Sequence, residues 1–365
     1  MRGRLVFVAW RDLRFAKGRF ALMGAVIVLI TLLVGLLSGL TAGLSRQNVA
    51  GITGLPADRI AFGATDAALS YSNSTVTEKQ WRRWADSPGV TRAEPLGITT
   101  TKATAGAESI GASVFGVRSG STLAPDGDRI DDQSAVLSGT AAHDLGVAVG
   151  DTVTVAGRRL TVAAVRGEAF FSHTPVIWTS LPTWRAIAPP SEVSDEPTAT
   201  VIALTTTEGV DIEATDRAAG TETVTKNDSL SAIGSYSSEN GSLQLMRGFL
   251  FAISALVIGA FFTVWTIQRT GDIAVLKALG ASTAYLLGDA LGQAVVLLSA
   301  GTLVGTGVAA GVGALISGSS IPFLLTPASV LAPAAIMILL GALGAALSIR
   351  RITSVDPLTA LGSAR

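Results

Sequence analysis

Four long apolar runs divide the chain unevenly. They cover residues 20–44, 244–268, 289–316 and 328–349, and charge is confined to their ends, at Arg247 and Asp289. A helix rises about 1.5 Å per residue, so about twenty apolar residues cross the ~30 Å of bilayer hydrocarbon. The pattern therefore predicts four transmembrane helices. Between the first and the second, residues 45–243 become polar and turn-rich and hold almost all of the acidic residues. That length suffices for a folded domain. Its most ordered stretch, Ala135 to Val165, reads as a short helix, a turn at Val149-Gly150-Asp151, alternating Val153 and Val155, a turn at Ala156-Gly157, and alternating Leu160, Val162 and Val165. This predicts a β-hairpin. Further strands are expected at Ala112 to Val117, Val176 to Thr179 and Thr198 to Leu204, with helices near Thr77 to Asp86 and Ser180 to Ile187. The tail Thr221 to Gly241, rich in Ser, Asn and Gly, reads as a connector back to the membrane. The predicted fold class is an α-helical membrane protein with four transmembrane helices plus an α+β domain between helices 1 and 2.

Charge orients this layout. The chain is 48% hydrophobic and only 15% charged, with a mean hydropathy of +0.50, the balance of a membrane protein. Its 27 basic and 27 acidic residues cancel, so no global basic field points to nucleic acid. Placement is what matters. Residues 1–19 carry Arg2, Arg4, Arg11, Arg14, Lys17 and Arg19 against Asp12, with Leu5, Val6, Val8, Ala9, Leu13 and Ala16 at mixed helical spacing. They predict an amphipathic helix lying on lipid at the cytoplasmic face. A signal peptide is the competing reading, but the next apolar run exceeds the ~7 to 15 residues of such a segment. Arg269 and Lys277 lie between spans two and three, and Arg350 and Arg351 follow span four. The positive-inside rule then puts both termini, the segment 269–288 and the tail 350–365 in the cytoplasm of a multi-pass plasma-membrane protein. The 45–243 domain and the loop 317–327 fall outside, so the domain is extracytoplasmic.

Within 269–288, Thr270 to Thr283 reads TGDIAVLKALGAST. Ile273, Leu276 and Leu279 recur at helical spacing, Asp272 precedes them, Lys277 lies among them and Gly280 closes the pattern. A short amphipathic helix between two spans is a tip that a soluble partner can grip. Gly35, Gly39 and Gly43 recur every fourth residue in span one, and Gly301 and Gly305 do so in span three. Such spacing predicts close helix packing, within the chain or with a second copy; the plainer alternative is that glycine, at 40 residues, is simply common here.

Motifs for chemistry are few. No G-x-x-x-x-G-K-[ST] phosphate loop occurs, so nucleotide energy has to come from another chain. No G-x-S-x-G elbow is present, there is no Cys, and His143 and His173 stand thirty residues apart without metal-ligand spacing. The residues point to neither an intrinsic cofactor or metal nor an enzyme.

One span, a large external domain, three spans and a hairpin reading D-I-A-V-L-K-A-L-G-A-S resemble the MacB/FtsX-type permeases of ABC transporters. Asp272, Ile273, Leu276, Lys277, Ala278, Gly280 and Ala281 are similar to that family's acidic-Ile-x-x-Leu-basic-Ala-x-Gly-Ala pattern, with Asp272 where Glu is commoner. Val355 to Leu361 resembles its closing D-P-x-x-A-L, and LGVAVGDTVTV resembles its external core domain. The resemblance implies a homodimer bound to two copies of a separate ABC ATPase that holds ATP and Mg. Asp272, Ile273, Leu276, Lys277, Leu279 and Gly280 would then form the coupling helix. Arg166 to Trp178, RGEAFFSHTPVIW, and RDLRFAKGRFALM near the start are similar to haem-efflux permeases of Gram-positive bacteria. Haem as a transported substrate needs an apolar slot, an axial ligand and cations for its propionates. Tyr236, Glu239, Met246 and Arg247 at the outer end of span two are candidates, with Phe170, Phe171 and His173 in the domain. The alternatives for these residues are a lipid-facing Met246, a snorkelling Arg247, and aromatics of an interfacial belt or domain core. For the whole chain they are an exporter of lipid, lipoprotein, peptide or antibiotic, a mechanotransmitter that activates a cell-wall hydrolase, and a membrane sensor without an ATPase.

Overall fold

The computed structural model describes residues 17–64, 67–189, 198–268, 279–316 and 321–353, together with Gly271 and Val275. The basic segment 1–16 and the closing motif Val355 to Leu361 lie outside them. The chain divides into two compact units, Leu44–Gly241 and a helical unit formed by Met1–Gly43 with Ser242–Arg365.

The Leu44–Gly241 unit holds ten strands in one sheet: β1 Arg59–Gly63, β2 Val90–Ala105, β3 Glu108–Val117, β4 Ser134–Leu137, β5 Thr152–Val155, β6 Arg158–Val165, β7 Phe170–Phe171, β8 Thr174–Ser180, β9 Val201–Thr206 and β10 Thr221–Thr225. Their order is β10-β1-β9-β2-β3-β8-β4-β6-β5, with β7 on β8. The sixteen-residue β2 serves two partners. Its first half pairs with β9 up to Leu96, its second half with β3 from Gly97 onward. Ala103 and Thr104 also meet β5, so β2, β3, β8, β4, β6 and β5 close on themselves and hide their edges. Gly97 and Gly116 face each other across β2 and β3, and a Cβ on either would strike the Trp184 side chain. Trp184 stands on α4 (Leu181–Ile187) below.

Helices cover the sheet where the chain supplies caps. α2 (Glu78–Ala85) starts at a capping box between Thr77 and Gln80 and buries Trp84. α3 (Gly139–Leu145) and α4 start at Ser138 and Ser180, whose side chains accept from Ala141 and Thr183 amides. α5 (Ile212–Ala219) is capped by Asp211. Two apolar clusters result. One gathers Phe62, Tyr71, Leu96, Phe115, Phe171 and Trp178; the other gathers Trp84, Val114, Leu137, Leu160, Ile177 and Ile202. Burial raises the Tyr71 phenol well above its ordinary pKa, and its hydroxyl donates to Ser229 Oγ at 2.9 Å.

The expected hairpin is β5–β6, with Thr152 opposite Thr161 and Val155 opposite Arg158. The expected connector Thr221 to Gly241 is not one. It begins as β10, antiparallel to β1, continues through a 3-10 turn at Asp228–Ala232 and ends as helix. Its partner strand lies far away in sequence, so local composition carries no sign of the pairing.

The long helices are α1 (Lys17–Thr53), α6 (Gly234–Gln268), α7 (Thr283–Ile316) and α8 (Pro327–Thr353). All four contain stretches long and apolar enough to cross a membrane. They overrun the expected spans of 20–44, 244–268 and 289–316, because a polar residue ends an apolar run without ending a helix. Val49 and Ile52, one turn apart on α1, are buried in the first domain cluster. α7 takes in Asp289, which accepts from Gln293 Nε2 at 3.0 Å. In the helical unit Met23, Ile27, Val34, Ile258, Phe262, Trp265, Leu298 and Met337 form the core.

The predicted glycine faces are contact points. A Cβ on Gly35 would lie 2.9 Å from Ala309 Cβ, one on Gly301 2.7 Å from Ile27 Cγ2, and one on Gly305 2.7 Å from the Val28 carbonyl. α1 and α7 thus approach closely at these glycines, and at Gly305 backbone meets backbone. Gly39 and Gly43 instead make room for Phe323 and the Pro322 carbonyl.

Candidate functional site

Ser172 and His173 are the two loop residues of the β7–β8 hairpin, since Phe171 pairs with Thr174. Both have positive φ, 48° and 64°, as a two-residue primed turn requires. Neither is the Gly or Asn that such a turn prefers, and left-handed non-glycine residues cost about 1–3 kcal/mol each. The surroundings hold them there. Ser172 N donates to Asn48 O and His173 N to Gln47 O, each at 3.0 Å.

Asn48 is the hub of a polar cluster around this turn. It is 1% exposed on α1. Its Oδ1 accepts from Ser235 Oγ at 2.9 Å, and Ser235 Oγ lies 3.0 Å from Ser172 Oγ, so the Ser172 hydroxyl supplies the proton between the two serines. Its Nδ2 donates to Glu239 Oε2 at 3.2 Å. His173 Nε2 approaches the same carboxylate oxygen to 2.7 Å. A carboxylate only accepts, so Nε2 carries the proton. The 3.2 Å approach of Asn48 Nδ2 to Nε2 is then two donors sharing one acceptor. The His173 and Glu239 side chains are 31% and 43% exposed.

The structure thus joins His173 with Glu239. Tyr236, one turn before Glu239 on α6, packs on the first apolar cluster. Phe170 and Phe171 are buried, and Phe171 packs edge-on to Tyr71 and Phe115 at 5.5 and 5.8 Å between ring centres. Burial assigns both to the domain core rather than to a ligand surface. Met246 is 47% exposed, and Arg247 Nε is buried with no hydrogen-bond partner among the described residues. Asn48, Ser172 and Ser235 escape sequence reasoning. The only local sign is the polar Gln47-Asn48 pair ahead of apolar Val49.

Of the coupling residues, Asp272, Ile273, Leu276 and Lys277 lie outside the described residues. Leu279 N donates to Val275 O at 3.0 Å, one helical turn, and Gly280 follows with φ 90°, the left-handed stop of a helix. The Leu279 side chain is 79% exposed.

Four membrane-length helices with a mixed-sheet domain inserted between the first two define a multi-pass membrane protein. The model of the MacB-like periplasmic core domain matches residues 21–222, and that of the FtsX-like permease C-terminal region matches 245–357. The chain belongs to this family of permeases. A Staphylococcus haemolyticus protein that carries the name hemin transport system permease protein HrtB is 25% identical over 97% of this chain and 99% of its own length. The protein of the same name from Staphylococcus epidermidis is 35% identical over 39% of this chain and 41% of its own. The crystal structure of the periplasmic region of MacB from Actinobacillus actinomycetemcomitans superposes with a TM-score of 0.35 at 11% identity, covering 49% of this chain and 94% of that one.

Proposed function

We propose that this permease exports haem or a similar amphipathic molecule from the membrane, as a homodimer driven by two copies of a separate ATPase that binds ATP and Mg. The observation that carries the reading is the end-to-end kinship with a protein named for hemin transport. His173, partly exposed beside Glu239, supports it, because an imidazole is an axial ligand suited to haem iron. With both termini and the Thr270 to Thr283 hairpin in the cytoplasm, exposed Leu279 followed by the Gly280 stop suits an ATPase cleft. Nucleotide binding moves the permease only if it has two packed arrangements that the ATPase favours unequally. The glycine contacts between α1 and α7 are where such sliding is cheapest.

Growth of a deletion strain on haem tests the cargo. Haem sensitivity, reversed by the intact gene, is expected, and normal growth overturns the reading, since neither a peptide exporter nor a mechanotransmitter protects against haem. A Soret band in the purified protein, lost on changing Tyr236, Glu239 or Met246, locates the ligand. Leu276→Asp or Gly280→Asp is expected to uncouple transport from ATP hydrolysis without loss of insertion.

A further inference from the structure

The Leu44–Gly241 unit holds a second polar site, apart from the His173–Glu239 cluster. A cavity of about 400 Å³ opens between the end of α2, the start of β2 and the segment after β3, lined by Ala85, Arg92, Glu94, Arg118, Gly120 and Ser121. Its central group is built in layers. The Trp81 indole donates Nε1–H to the Ala93 carbonyl at 2.9 Å, which fixes the ring. The Arg118 guanidinium lies on that ring, with Cζ 4.9 Å from its centre. Stacking holds a guanidinium by its face and leaves its N–H edge free.

The charges in the cavity do not balance. Glu94 is spent: Oε1 lies 3.6 Å from Arg92 Nε, and Oε2 accepts from Ser121 Oγ. Arg92 is engaged as well, donating through Nη1 to Thr122 Oγ1. Arg118 has no ion pair or side-chain hydrogen bond among the described residues. One positive charge, with a planar set of donors, therefore faces an open cavity of the size that takes small ligands, roughly 300–1,000 Å³. The polar lining is unsuited to an apolar cargo.

We infer that this cavity binds an oxyanion group, phosphate or carboxylate, borne on a hydrophilic body of sugar size, with the stacked Arg118 as its anchor. Planar guanidinium donors match either oxyanion two bonds at a time. The site belongs to the domain alone and stands whether or not the cargo is haem.

Isothermal titration calorimetry of the full chain in detergent micelles at low salt tests it, with glucose 6-phosphate, glucuronate and glucose as probes. At least one anionic sugar is expected to bind saturably and glucose not to bind; which anion binds more tightly tells a phosphate source from a carboxylate one. Arg118→Gln is expected to weaken binding about tenfold or more, with Arg118→Lys intermediate because it keeps the charge without the planar fork. Arg118 is exposed, so thermal melting of these variants is expected to match the parent. Trp81→Leu, which removes the stack, is expected to weaken binding too. Absence of saturable heat from both anionic sugars at about 10 mM, or an affinity untouched by Arg118→Gln, overturns the proposal.

Discussion

The two units of this chain use glycine for opposite reasons. Among the described residues, nine of the ten glycines with positive φ lie between Leu44 and Gly241, where they turn the chain between strands and end short helices. In the helical unit a group of glycines sits inside helices, where propensity disfavours them by about 1 kcal/mol each, at points where their use is the space they leave. Gly305 admits the backbone of α1 at Val28, Gly341 admits Leu298, and Gly344 faces Gly259 of α6. The difference follows from what drives packing. A water-soluble core gathers by burying large side chains such as Trp84 and Phe115. Lipid is as apolar as leucine, so helices within it gain from close contact instead.

That contrast can be broken, and the largest effect is expected in the domain. Trp84 is fully buried and its Nε1–H donates to Thr221 Oγ1 at 2.9 Å. Trp84→Ala should cost about 3–5 kcal/mol, read as an earlier unfolding of the domain by near-ultraviolet circular dichroism. The helical unit should instead suffer from added bulk. Gly305→Leu is expected to cost about 1–3 kcal/mol in denaturation from detergent micelles. Gly307→Leu, two residues on and with nothing near a would-be Cβ, should stay within about 0.5 kcal/mol. Equal effects at the two positions would remove the packing argument.

A smaller loss is expected at the polar hub. Asn48→Ala leaves Ser235 without its acceptor and Glu239 without one donor, at about 1–3 kcal/mol. The loosened Ser172-His173 turn should show as faster amide exchange at those two residues. Smallest for stability is Leu279→Asp, expected within about 0.5 kcal/mol because the side chain is exposed. On the proposed coupling role its effect should be read in transport per ATP hydrolysed, and unimpaired coupling would overturn that role for Leu279.

Legibility followed the range of the forces. The four membrane helices, the β5–β6 hairpin and the capped helices α2 and α4 could be read directly, since apolar length, alternation and capping residues are local signals. The candidate site was legible only in part. His173 and Glu239 stood out as chemistry, but Phe170 and Phe171, neighbours of His173 in sequence, turned out to be core. Both side chains are buried, Phe171 in the first apolar cluster, before the chain turns at Ser172. Asn48 was silent because an asparagine on a helix says nothing until the Ser172-His173 turn and α6 converge on it.

By itself the sequence determined the class of molecule, four helices for lipid and a folded domain between the first two, because the cost of placing polar backbone and charge in hydrocarbon acts on every residue in turn. Tertiary structure alone decided that Thr221–Thr225 is a strand against Arg59–Gly63, that β2 changes partners at Gly97, and that Asn48, His173 and Glu239 meet. Those outcomes depend on pairings between residues far apart in the chain, and no local pattern carries the free energy of a contact whose partner it does not contain.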